Sequence, residues 1–431
     1  MTAVAVPAHN LSRARVRLAL LALALGGFAI GCTEFVAMGL LPDIARQLIP
    51  TVYAVSPSGA NAQAGLLVSA YAAGVVVGAP TIAALAARFP RKTLLLWLLV
   101  AFVVFTVASA VLPTFGLVLA ARFLSGLPHG AYFGVAALVA ASLMGPGTRG
   151  RGIAFVLGGL TIANVIGVPA ITFLGQATGW RIAYLAVAAI FALTFAAVLL
   201  TVPRQPGDPA ATVRRELSIF ARPQVWFALG IGSIGFGGFF AVYTFIAPIV
   251  TTVTGQPAAF VPISLVVAGV GMTTGNFVGG HFADVSLKRA LFVFFGALLV
   301  GLVGLGLLAS TVAGALVFLF LIGAASSALS PAIQTRLMNV AGESQTLAAA
   351  VNHASLNIGN SIGAALGGVA VAMGLGYLSV TWVGLVLCLL GVLIAIVSFA
   401  LERRAHRRQA ALHGAGSLGL QQDAVLDRAL P

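Results

Sequence analysis

Three side chains stand where the rest of the chain excludes charge. Glu34 lies within "FAIGCTEFVAMGLLPDIA" (Phe28–Ala45), and Arg122 and His129 lie within "RFLSGLPHGAYFG" (Arg122–Gly134). A charge deep in an apolar run costs about 2.5–3.5 kcal/mol on insertion scales, so its retention implies a use. A buried carboxylate has two uses open to it. It can hold a static ion pair, or it can take and release a proton, because neutralisation removes the desolvation cost. Glu34 is seven residues from Leu41 at the outer end of its run, and Arg122 is eight from Thr114. At about 1.5 Å rise per residue both lie roughly 10–12 Å inside the same face, level with each other. Arg122, Gly126, His129 and Phe133 share one helical face, which puts His129 about two turns deeper. An imidazole there can titrate near neutral pH or serve only as a hydrogen-bonding group.

Other polar residues gather in three runs. "GGLTIANVIGVPAITFLGQATGW" (Gly158–Trp180) carries Asn164, with Gly167 and Pro169 permitting a kink and close helix approach. "NHASLNIGNSIGAALGG" (Asn352–Gly368) has one stripe of His353, Asn357 and Asn360 or Ser361, and a neighbouring small-residue stripe of Asn352, Ser355, Gly359 and Gly363. The first stripe reads as a cavity wall and the second as a packing seam. "GFFAVYTFIAP" (Gly238–Pro248) supplies Phe239, Phe240, Tyr243 and Phe245, which suit an amphiphilic ligand and equally suit a lipid-facing surface. Tyr132, Asn164, Tyr243, His353 and Asn357 are the candidates for lining a substrate cavity. Gly126, Gly130 and Gly134 recur every four residues, a small face for helix contact. "GPGTRG" (Gly145–Gly150) fits G-x-G-x-x-G but follows an apolar run, not a strand, so a dinucleotide site is rejected. The sequence has no P-loop, no credible nucleophile–base pair and no metal cluster, and it reads as a non-enzyme without a cofactor. Cys32 and Cys388, far apart in apolar runs, read as small hydrophobes.

The elements that must position these groups follow from composition. The 431 residues are 60% hydrophobic and 7% charged, against roughly 25% charged in soluble chains. Continuous apolar runs of about 20 residues recur from end to end, which predicts an all-α polytopic membrane protein. Twelve spans are expected near Leu18–Leu41, Gln63–Ala86, Thr93–Leu112, Phe115–Ala141, Ile153–Gly175, Ile182–Val202, Val225–Val250, Val261–Ala283, Ala290–Ser310, Ala313–Thr335, Leu347–Ala372 and Leu378–Leu401. The net charge of +14 sits almost wholly in the gaps. That is the pattern of topology determinants rather than of nucleic-acid binding. Arg13, Arg15, Arg17, Arg88, Arg91, Lys92, Arg149, Arg151, Arg204, Arg214, Arg215, Arg222, Lys288, Arg289, Arg336, Arg403, Arg404, Arg407 and Arg408 all fall on one side, with only Arg46 and Arg181 opposite. Both termini are therefore expected in the cytoplasm. The long polar connection at 203–223 divides the chain into six spans at 1–202 and six at 224–402, followed by a basic, disordered tail at 403–431. "ALAARFPRK" (Ala84–Lys92) and "FADVSLKR" (Phe282–Arg289) carry basic pairs at matching places in the two halves, as expected of a repeated six-span unit.

These motifs resemble the major facilitator superfamily over essentially all of Arg17–Leu401, and within it the twelve-span drug:proton antiporters. The closest likeness is to the group of arabinose-efflux permeases and chloramphenicol exporters. "TEFVAMGLLPDIA" (Thr33–Ala45) resembles that branch's first-span motif, with Glu34 at the acidic position. "RFLSGLPHGAYFG" resembles its fourth-span motif, with Arg122 as the arginine implicated in proton coupling. "ANVIGVPAITFLGQ" (Ala163–Gln176) followed by "GWR" (Gly179–Arg181) resembles its fifth-span antiporter motif, and "FADVSLKR" resembles the loop motif, with Asp284 at the acidic position. The first-half loop departs from the pattern, with Ala87 for aspartate and Pro90 for glycine; the antiporter motif departs at Val168 and Thr172. The resemblance implies two six-helix bundles rocking about a central cavity in a bacterial inner membrane, as a monomer. It implies export of a small neutral or amphiphilic molecule, a drug such as chloramphenicol or a sugar, driven by proton entry. In that reading Glu34, Arg122 and His129 couple the proton, and Gly167, Pro169, Arg88, Arg91, Asp284 and Arg289 serve the conformational change. A facilitator or importer with Glu34 and Arg122 as a static pair is the rival; a non-transporting receptor is poorer, since no soluble domain is present.

Overall fold

A computed structural model describes residues 12–86, 89–144, 149–206, 218–341 and 345–426. Arg88 and Gly145–Thr148 of the "GPGTRG" stretch lie outside the described residues, as do the side chain of Asp284 and most of the 203–223 connection. Among the described residues, 12 helices are long and apolar enough to cross a membrane. They are Arg13–Gly39, Pro57–Ile82, Arg91–Val111, Phe115–Met144, Arg151–Thr178, Trp180–Thr201, Pro223–Tyr243, Ala258–Ala283, Val285–Leu308, Val312–Val340, Val351–Ala372 and Ser379–Arg404. Each predicted span overlaps one of them. Such agreement is expected, because in lipid every backbone polar group must be satisfied within its own helix.

The two halves repeat one packing scheme. A side chain at Gly74 or Gly78 of the second span would strike the carbonyl oxygens of Phe123 and Leu127 in the fourth. In the second half, Gly271 and Gly275 of the eighth span meet Phe320 and Ala324 of the tenth in the same way. Gly74 to Gly271 and Phe123 to Phe320 are both steps of 197 positions, so the contact is copied with its register intact. Glycine at these places lets two backbones approach closely, which drives helix association where no hydrophobic effect separates helix from lipid. Gly126 and Gly130 join this seam from the fourth-span side, against Tyr71, Gly74 and Ala79. Gly134 does not: a side chain there would meet nothing within 4 Å, so the small face ends a turn earlier than the spacing predicts.

The halves meet chiefly through the second span against the eleventh and the fifth against the eighth. Ser69 Oγ donates to the Ser361 carbonyl at 3.1 Å, and Ser361 Oγ returns a bond to the Ser69 carbonyl at 3.3 Å. Toward the arginine-poor side, Asn61 Nδ2 donates to Tyr377 Oη at 2.7 Å and Gln176 Nε2 to the Ala258 carbonyl at 2.9 Å. Gly269 of the eighth span packs directly on the Asn164 carbonyl of the fifth.

Two spans depart from regular helix. The fifth carries a π-helical turn at Ala163–Gly167, immediately before Pro169. Proline has no N–H to give the preceding turn, and widening the helix accommodates that loss without a full break. The seventh was expected to run unbroken to Val250; instead it has a π-helical turn at Ile231–Gly235 and is interrupted at Thr244–Phe245. Pro248 cannot donate to the Thr244 carbonyl, and the glycine-rich "GSIGFGG" weakens the helix ahead of it. A non-helical Ser286 (φ −161°, ψ 98°) separates the eighth and ninth spans, and its Oγ accepts the Arg289 N–H at 3.5 Å as an N-cap.

Candidate functional site

The site is built on the first span, where it passes the fourth, second and eleventh. Glu34 is five residues from Gly39 at its helix end and Arg122 seven from Phe115 at its own. The rise of about 1.5 Å per residue sets both about 8–10 Å deep. The structure brings them to one level but not into an ion pair. Arg122 Nη1 donates to Thr33 Oγ1 at 3.2 Å, and its guanidinium lies 4.4 Å from the Tyr71 ring centroid and 5.5 Å from that of Tyr184. Consecutive residues on a helix point about 100° apart. With Thr33 turned to Arg122, Glu34 faces away, toward the second half. There its Oε1 accepts from Asn360 Nδ2 of the eleventh span at 3.4 Å. Arg122 is fully buried (0% exposed), and no described residue hydrogen-bonds its Nε or Nη2.

His129 lies below Arg122 and is joined to it through one ring. Tyr71 Oη and His129 Nδ1 are 3.0 Å apart, while the face of the same Tyr71 ring receives the guanidinium. Across the interface, His353 of the eleventh span stacks on Phe133 of the fourth (centroids 5.6 Å, interplanar 6°) and stands 6.5 Å from His129. A chain of polar side chains therefore runs from Thr33 through Arg122, Tyr71 and His129 to His353, crossing from the first half into the second.

The proposed cavity residues divide. Asn164, Tyr243 and Asn357 are buried with Asn164 Oδ1, Tyr243 Oη and Asn357 Oδ1 lacking partners among the described residues, and His353 closes the same interface. The aromatic set of the seventh span turns inward rather than to lipid. Phe240 stacks on Phe35 of the first span (6.3 Å, 11°), Tyr243 meets Phe35 edge-on at 5.7 Å, and Phe239 stacks on Tyr243 at 4.9 Å. Tyr132 is the exception. Its hydroxyl donates to the Leu23 carbonyl at 3.0 Å and its ring packs on Phe102, so it fills the first half's own interior where Gly26 leaves room. Lying three residues beyond His129, it is turned about 60° from it, toward Leu23 and Phe102.

Of the residues expected to serve the conformational change, Gly167 and Pro169 lie inside the fifth span, and Arg91 and Arg289 lie at the starts of the third and ninth. Gly167 packs against Cys32 and Phe28, placing the fifth span's π-turn on the first span. Arg91 takes the Gln205 carbonyl through its backbone N–H at 3.1 Å and reaches Gln205 Oε1 at 3.5 Å, while Gln205 Nε2 donates to Ser142 Oγ at 2.7 Å. Arg289 is exposed.

Three positions escaped sequence reasoning. Thr33 reads as one more small residue beside the acid, and Asn360 as one alternative in a stripe. Arg336 reads as a solvated end charge, yet it is 4% exposed. It pairs with Glu402 at 2.9 Å, donates to Gln224 Oε1 and Ser398 Oγ at 3.0 and 3.1 Å, and faces Phe399. Its place as the lone charge in the uncharged "IQTRLMNV" was the available signal.

The repeat is symmetric in fold but not in chemistry. At the 197-residue step that superposes the fourth span on the tenth, Arg122 and His129 correspond to Leu319 and Ser326.

A model described as Major Facilitator Superfamily matches residues 23–352. The inner membrane transport protein YdhP of Escherichia coli (strain K12) is 38% identical over 384 residues, covering 89% of this chain and 96% of that protein. A chloramphenicol resistance protein of Streptomyces lividans is 34% identical over 377 residues, covering 86% and 94%. Among solved structures, a D-xylose–proton symporter superposes with a TM-score of 0.70 at 17% identity, over 89% of this chain and 97% of that one, a likeness of fold. With twelve helices among the described residues long and apolar enough to cross a membrane, the chain belongs to the Major Facilitator Superfamily and is a multi-pass membrane transporter of a small molecule, not an enzyme.

Proposed function

We propose that this chain exports a small neutral or amphiphilic molecule across the bacterial inner membrane in exchange for protons. The observation that carries the reading is the placement of Glu34. The acid inside the first span is buried, sits one residue from the anchor of Arg122, and touches the second half at Asn360. A proton shifts a two-state balance only if one state binds it better. A carboxylate whose second contact lies across the moving interface has a proton affinity that depends on how the halves are set. We assign residues 1–202 and 224–402 as the two rocking units, joined by 203–223, with 403–431 as a cytoplasmic tail and a monomer as the working unit.

The substrate side rests on a different set of atoms. Tyr243 Oη is buried without a partner among the described residues beside Phe35 and Phe239, and Asn164 Oδ1 and Asn357 Oδ1 are likewise buried and unpartnered on the fifth and eleventh spans. Buried polar atoms left unpaired cost about 1–3 kcal/mol each, so a ligand offering hydroxyl or amide donors next to an apolar or aromatic body is favoured there. The S. lividans relative named for chloramphenicol resistance is consistent with such a cargo.

The test is uptake of labelled chloramphenicol into inverted membrane vesicles under an imposed pH gradient. Uptake is expected to vanish when the gradient is collapsed and in Glu34→Gln. Uptake that survives both rules out proton exchange through Glu34.

A further inference from the structure

We infer that Asn360 is the residue through which the second half senses the proton on Glu34; this rests on the antiport reading above. Glu34 Oε1 receives Asn360 Nδ2 at 3.4 Å, a contact between residues 326 positions apart and in opposite halves. Asn360 is fully buried, and its Oδ1 has no partner among the described residues. An ionised carboxylate only accepts hydrogen bonds, whereas a protonated one also donates. The amide of Asn360 can meet either form: Nδ2–H donates to the ionised acid, and Oδ1 accepts the O–H of the protonated one after a half-turn of the amide. One proton joins a Glu34 oxygen and no other bond changes. The two arrangements reverse the hydrogen bond across the interface and differ in strength, since only the bond to the ionised acid is charge-assisted, so the charge state of the first span is conveyed to the eleventh.

Asn360 is the one side chain among the described residues found hydrogen-bonded to the Glu34 carboxylate. Arg122 is held by Thr33 and Tyr71, off the carboxylate. The other ionisable groups whose charge reaches Glu34 are Arg122 from the fourth span, Tyr71 from the second and Tyr243 from the seventh. Ser361, the next residue after Asn360, exchanges two bonds with Ser69, and neither depends on charge. A fixed joint thus stands beside a variable one.

The test uses the full chain in lipid nanodiscs, spin-labelled at Arg151→Cys on the fifth span and Arg403→Cys at the end of the twelfth, both exposed. The native thiols, Cys32 and Cys388, are buried and escape labelling. Inter-label distances are recorded across pH. The unmodified interface is expected to shift between two distance populations, and Glu34→Gln is expected to show no shift. In Asn360→Leu and Asn360→Ala the change in population ratio is expected to fall about tenfold or more, the loss on removing a hydrogen bond to a charged group. Asn360→Ser, which can still donate and accept, is expected to keep most of the shift and so controls for packing damage. The inference is overturned if Leu and Ala variants respond like the unmodified chain while Glu34→Gln does not. A shift that persists in Glu34→Gln overturns the antiport reading instead, and no shift in the unmodified chain overturns both.

Discussion

Replacing Thr33 by valine isolates what holds Arg122 in place. The two side chains have nearly the same shape, so packing is preserved while one hydroxyl is lost. That hydroxyl oxygen, 3.2 Å from Nη1, is the one hydrogen-bond acceptor found for the Arg122 side chain among the described residues. A hydrogen bond from a charged donor contributes about 1.5–3 kcal/mol, and the guanidinium left behind remains buried against Tyr71 and Tyr184. The loss corresponds to roughly 10- to 150-fold in any equilibrium that depends on Arg122 being seated. Thr33→Val is therefore expected to lower the thermal unfolding midpoint of the detergent-purified protein and to cut gradient-driven uptake in inverted vesicles by a factor in that range. Thr33→Ser restores the acceptor and is expected to recover most of both. If Thr33→Val matches the unmodified chain in midpoint and in uptake, Thr33 does not seat Arg122, and the polar chain from Thr33 to His353 has no anchored end.

Other perturbations give expected outcomes from the same geometry. Gly78→Val drives a side chain onto the Leu127 carbonyl, and Gly275→Val does the same at Ala324; overpacking of about 1–3 kcal/mol or more predicts a lower unfolding midpoint for both, measured by fluorescence on heating. Arg336→Met removes the Glu402 pair and two hydrogen bonds to neutral acceptors from the junction of the seventh, tenth and twelfth spans. A loss of about 2–4 kcal/mol is expected, seen as faster proteolysis near residue 224, and Arg336→Lys is expected to recover only part of it. His353→Ala abolishes the stack on Phe133; labels at Arg151→Cys and Arg403→Cys are expected to report a wider cytoplasmic separation at every pH.

How far the sequence could be read follows from what each inference needed. Span number and limits needed only the length of apolar runs, and hydropathy decides those in a bilayer. The shared depth of Glu34 and Arg122 needed only helix rise from a span end. Which way each side chain points was harder, because a helix apolar on every side carries little record of its inner face. Glu34 was therefore legible as a buried acid, but its turn away from Arg122 toward Asn360 was not. Tyr132 shows the same gap: a polar-tipped ring beside His129 suits a cavity wall until the backbone shows it rotated onto Leu23. The break in the seventh span was partly legible in Pro248 and its preceding glycines, yet in membranes such residues are tolerated in continuous helices as well. Arg336 was misread because a cation near a span end is ordinarily solvated, and its partners Gln224, Ser398 and Glu402 come from spans distant in sequence.

In the proton exchange proposed above, the Glu34 carboxylate holds its proton with a strength that changes with the setting of the two halves. Infrared titration of the protonated Glu34 carbonyl band, identified by its absence in Glu34→Gln, measures that hold directly. Ser69→Cys with Ser361→Cys places two thiols where the reciprocal serine bonds now join the halves, and oxidation fastens them. The titration midpoint of Glu34 is expected to differ between the fastened protein and the same protein after reduction. Two curves that superimpose would contradict the account, since a proton bound equally well in both settings cannot drive one into the other.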